Sequence, residues 1–113
     1  MSNDSTPIED RLSAAKARFP GRRLYVADSP AGDLILGKPR RQDYEAWLAL
    51  ILSEEPAEKA KAPRTILLAC AVDPDAEGMR AALEEYPALA SYPAVTQAIK
   101  FATGTAKAEA EKK

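Results

Sequence analysis

Glu54-Glu55 and Glu84-Glu85 are paired carboxylates of the kind that general acid–base chemistry or a metal ion would use. Adjacent residues on a helix point apart, however. The chain has no His, which removes the usual general base and the commonest metal ligand. The run "DPDAEG", Asp73 to Gly78, has the opening of a calcium loop. It lacks the third acidic ligand and the distant Glu that such a loop needs, and its Pro suits a helix start. Cys70, the single cysteine, lies within "LLACAV", where a thiol behaves as a small apolar group. A nucleophilic role would need a base and an electropositive site beside it, and neither is visible. Five scattered glycines form no phosphate-cradling loop. The expectation is a protein that is not an enzyme, with no metal site and no cofactor.

One constellation carries more weight. Arg22 and Arg23 open the first of two predicted strands, and Lys38, Arg40 and Arg41 follow the second. A hairpin sets those two ends side by side, so five cations share one rim. Such a rim can hold phosphates or an acidic protein surface, and Tyr25 and Tyr44 are near enough in sequence to stack on bases. The acidic pI and the lack of a recognition motif argue against nucleic acid. Plain solvated charge and an acidic protein partner are the readings left open ahead of it. The charge is also unevenly spread: residues 1–41 carry eight Lys or Arg against five Asp or Glu, and residues 42–104 carry five against ten. That split favours self-association or a partner of complementary charge, unless both are ordinary solvated surfaces.

The elements that position these residues follow from periodicity and punctuation. In "TPIEDRLSAAKARFPG", Thr6 is placed as N-cap, Pro7 as the first helical residue and Glu9 as the capping-box partner. Ile8, Leu12, Ala15 and Phe19 share one face, so residues 1–21 read as an N-terminal amphipathic helix. Leu24 and Val26, then Leu34 and Leu36, alternate on either side of the turn formers "DSPAGD", which predicts a β-hairpin. Two strands alone are marginal and leave open edges, so pairing with another chain is expected, with Ile35 at the contact. Tyr44, Trp47, Leu48, Ile51 and Leu52 form a buried helical stripe, with Leu50 off it and free for a partner. Residues 56–63, "PAEKAKAP", read as a polar linker. Residues 65–72 are apolar all round, consistent with a buried helix or a buried strand, and Pro63 and the Ala content favour the helix.

Asp73 is then expected to cap a helix bearing Met79, Ala82, Leu83 and Tyr86 on one side. Pro87 stops it, and Pro93 starts a last helix on which Val95, Ala98, Ile99 and Ala102 share a face, ended by Gly104. Tyr86-Pro87 and Tyr92-Pro93 thus bracket a short elbow containing Leu89, each tyrosine plugging a junction. The fold class is α+β, mostly α: one hairpin, about four short helices after it, and the extra N-terminal helix. Residues 22–104 form one domain and 105–113 a charged, flexible tail. Much of the 46% hydrophobic content is Ala, so the core of a monomer would be modest and partner burial is expected. A lone cysteine, a polar N-terminus and no apolar run of about 18 residues predict a cytoplasmic protein without a membrane span.

Taken in order, "LILGKP", "DYEAWLALIL", "ACAVDP", "LEEYPAL" and "AVTQAIKFATG" resemble the small tail assembly chaperones of tailed bacteriophages, over residues 24–113. The strand pair, Pro39 before the aromatic helix and the elbow of Leu83, Tyr86, Pro87 and Leu89 carry the resemblance. The family often has Ser or Thr as a helix cap after that Pro, whereas this chain has Arg40, and residues 1–20 do not align. The resemblance implies a non-enzymatic protein that binds the hydrophobic tape measure protein, keeps it soluble and recruits tail tube protein, acting in the host cytoplasm. The alternatives are a structural virion component, such as a connector or baseplate adaptor, and a small regulator binding a host protein through the basic rim.

Overall fold

Leu34, Ile35 and Leu36 follow one another on a strand, and none is more than 1% exposed. Side chains alternate across a strand, so three consecutive buried residues require cover on both faces of the sheet. The computed structural model, which describes residues 7–105, supplies both covers. Its elements are α1 (Ile8–Arg18), β1 (Leu24–Ala27), β2 (Leu34–Gly37), α2 (Arg41–Leu52), α3 (Pro56–Ala60), α4 (Ala62–Cys70), β3 (Ala71–Asp73), α5 (Ala76–Glu85), a 3-10 turn (Leu89–Ser91) and α6 (Pro93–Thr103). The fold is α+β, mostly helical, and no helix among the described residues is long and apolar enough to cross a membrane.

The sheet is antiparallel with order β1-β2-β3. The hairpin pairs Tyr25 with Leu36 and Val26 with Ile35, and β3 adds to the other side of β2, pairing Asp73 with Ile35 and Ala71 with Leu36. On one face Leu34 and Leu36 join Leu67, Cys70, Met79, Leu89 and Val95 in the main core. On the other, Ile35 and Val72 meet Ala15 of α1, flanked by Ile8, Leu12, Phe19 and Leu24. The apolar stripe of α1 therefore roofs the back of the sheet. Arg11 fastens the roof, donating from Nε to Asp73 Oδ2 and from Nη2 to the Asp73 carbonyl, both at 3.0 Å.

These facts correct several expectations. β2 is paired on both sides, and Ile35 is 0% exposed, so neither its backbone nor its side chain is open to a partner. The apolar segment 65–72 is helix and strand in succession, α4 ending at Cys70 and β3 starting at the next residue. Asp73 is the last residue of β3 rather than a cap; Asp75 caps α5, its carboxylate accepting from the Gly78 N–H at 2.9 Å. The "PAEKAKAP" stretch is not a linker but carries α3 and the first turn of α4. Pro7 sits at the N-cap position of α1 rather than inside the helix. The Thr6 cap with its capping box and the tail beyond residue 105 lie outside the described residues.

The elbow forms where predicted. Tyr86 ends α5, Pro93 occupies the first turn of α6, and Gly104 closes α6 with φ 82°. That left-handed conformation is one glycine reaches without strain. The plug is different from the one expected, however. Leu89 is 1% exposed and Leu83 is 6%, whereas Tyr86 is half-buried and Tyr92 is 39% exposed. The tyrosines flank the junction, and the leucines fill it.

Candidate functional site

The basic rim exists, built around the C-terminal end of α6. Because β1 and β2 are antiparallel neighbours, Leu24 pairs with Gly37 and the chain on either side brings Arg22 and Arg23 next to Lys38. One hollow of about 460 Å³ is lined by Arg22, Arg23, Tyr25, Lys38, Phe101 and Thr103. A second, of about 500 Å³, is lined by Lys38, Pro39, Arg40, Arg41, Tyr44 and Thr103. Lys38 and Thr103 border both. All five predicted cations are thus drawn together, and placing them at a helix C-terminus opposes the negative end of the α6 dipole.

Their environments differ. The Arg22 guanidinium lies over the Phe19 ring, 5.1 Å from its centroid, and donates to the Lys38 carbonyl at 2.6 Å. A Cβ at position 37 would stand 2.8 Å from Arg22 Nε, so Gly37 makes room for this packing. Arg22 therefore holds the hairpin end in place. Arg40, the N-cap residue of α2, makes no capping bond with its side chain; it pairs with Asp43 at 3.1 Å, and Arg41 pairs with Glu45 at 3.2 Å. These are exposed pairs of small energetic weight. Pro39, just ahead of Arg40, is buried. Tyr25 and Tyr44 are not idle platforms: their rings lie 5.8 Å from Phe101 and 5.2 Å from Trp47.

A further, more apolar feature escaped the sequence. A groove of about 440 Å³ runs between α2, α4 and α6, walled by Trp47, Ile51, Ala62, Ile66 and Ile99. It meets the basic hollow at Thr103, which lines both. Its origin is the incomplete burial of α2. Tyr44, Trp47 and Leu48 are only half-buried, Ile51 is 37% exposed and Leu52 is 73% exposed. Leu50, expected to be the partner-facing residue of α2, is half-buried, and the stripe itself is what faces outward. The available signal was the width of that stripe beside a core too small to absorb it.

Cys70 is fully buried beneath the sheet. Burial pushes its thiol up to about 12, with the Arg22 guanidinium pulling weakly the other way. At neutral pH it is an uncharged apolar filler. Among the described residues no group of His, Cys, Asp and Glu is arranged to hold a metal ion. Compared with known proteins, the chain matches no family model, no curated protein and no solved structure.

Proposed function

We propose that this chain is a non-enzymatic tail assembly chaperone of a tailed bacteriophage, holding apolar helical segments of the tape measure protein in the α2–α4–α6 groove. One observation carries the reading. The longest of the described helices, α2, buries none of its residues fully; it leaves Ile51 exposed in the groove wall and Leu52, the next residue, exposed outside that lining. An amphipathic helix laid in an apolar groove covers such surface, its i, i+3, i+4 and i+7 residues meeting the walls. The order of hairpin, Pro39, aromatic helix and elbow supports the family, with Arg40 in place of its frequent Ser or Thr cap. Self-association through the sheet is restricted to the outer strands β1 and β3, where Val26 of β1 is 44% exposed.

Co-expression with the tape measure protein tests the reading. The tape measure protein should stay soluble and co-purify with this chain, while finished tails should lack it. A tape measure protein that precipitates regardless, or a chain retained in purified tails, overturns the chaperone role.

A further inference from the structure

The charge around the groove narrows what it can hold. Residues 42–104, which form most of its walls, contain ten acidic and five basic side chains. Yet the charged residues lining the groove are Lys59 and Lys100, and no carboxylate lines it. Both lysines are exposed, and among the described residues neither ammonium is paired with an acidic group; Glu58, beside Lys59, is taken by Lys61 at 3.4 Å. Where the groove meets the hollow at Thr103, the next charged residues are Lys38, Arg40 and Arg41, the last two paired with Asp43 and Glu45. An apolar floor edged by Lys59 and Lys100, in a region dominated by acidic side chains, is complementary to a ligand with an apolar face and acidic flanks.

We infer that the groove selects an amphipathic helix whose apolar face is bordered by Asp or Glu, with Lys59 and Lys100 as the selecting residues. This rests on the helix-holding role proposed above and adds the partner's charge. Cations at this edge attract such a segment and reject a basic one of equal hydrophobicity, since like charges brought together at a desolvating contact are costly. Exposed lysines respond to ionic strength, so the preference weakens as salt rises.

Trp47 is the only tryptophan of the chain and lies in the groove wall, which provides the readout. Two tryptophan-free helical peptides sharing one leucine face, flanked by Glu in one and by Lys in the other, are titrated into the full chain. Trp47 emission is followed at low and at physiological salt. The Glu-flanked peptide should bind at least about tenfold more tightly at low salt, a gap of about 1.4 kcal/mol. The joint substitution Lys59→Glu and Lys100→Glu should reverse the order. Equal binding or a preference for the Lys-flanked peptide on the unaltered chain overturns the inference, whatever the variant does. So does a Trp47 signal that neither peptide moves, or one that changes with protein concentration alone as a dimer forms, since a second copy would then fill the groove. A flat peptide ranking with intact tape measure co-purification rejects the acidic selectivity only. The predicted ranking with no co-purification rejects the tail-assembly role only.

Discussion

Helices α2 and α6 are near twins in sequence terms, 12 and 11 residues long, each with an apolar stripe, α6 beginning at Pro93 and α2 two residues after Pro39. They end up in opposite situations. In α6 the stripe of Val95, Ala98, Ile99 and Ala102 is buried throughout, none above 8% exposed. In α2 a stripe of larger residues reaches only half-burial and runs out to Leu52 at 73%. Side-chain size accounts for much of this. Two alanines in the α6 stripe let that helix lie close against β1 and β2, where Tyr25 meets Phe101. The bulky Trp47 and Leu48 keep α2 on the outside, against α3 and α4, and among the described residues no further layer lies beyond it. A stripe on a helix says that burial is needed; it does not say that the same chain provides it.

That contrast can be tested by substitution on each helix. Val95→Asp puts a charge at a position with 0% exposure. The penalty for an unpaired buried charge is several kcal/mol, comparable with the whole stability of a small domain. The variant should lack a cooperative thermal transition by circular dichroism; a native-like melting curve would mean that α6 is not packed as described. Trp47→Ala removes a large but half-buried ring from α2. The expected loss is roughly 1–3 kcal/mol, below the cost of deleting a fully buried aromatic, measured by urea unfolding. A loss as large as that from a core position would place α2 inside the fold rather than at its surface. The smallest effect belongs to Leu52→Gln, which should change stability by less than about 0.5 kcal/mol because the side chain is already exposed. Its consequence should instead be weaker capture of the helical partner. Clear destabilisation with unchanged capture would remove Leu52 from the proposed contact surface.

Much of the architecture was legible because local chemistry determined it. The stop at Tyr86-Pro87, the start at Pro93, the end at Gly104 and the turn between Ala27 and Leu34 each depend on residues within a few positions of one another. The five-cation rim was legible too, as hairpin pairing places Arg22 and Lys38 together once both strands are recognised. The sequence by itself therefore determined the hairpin, the elbow and the ends of α6, and which charges gather at the hairpin end, but not α3 or β3.

Tertiary structure decided the rest. It converted the end of an apolar run into β3, because β2 offered an unpaired edge that Ala71–Asp73 could fill. That pairing closed the edge at Ile35 and gave Asp73 to Arg11, a residue 62 positions away that no local pattern connects to it. It also set α1 over the back of the sheet and left the α2 stripe as the wall of a groove. Each of these outcomes depends on which distant backbone edge or apolar face a segment meets. Period and punctuation describe what a segment must satisfy, while only the assembled chain determines what satisfies it.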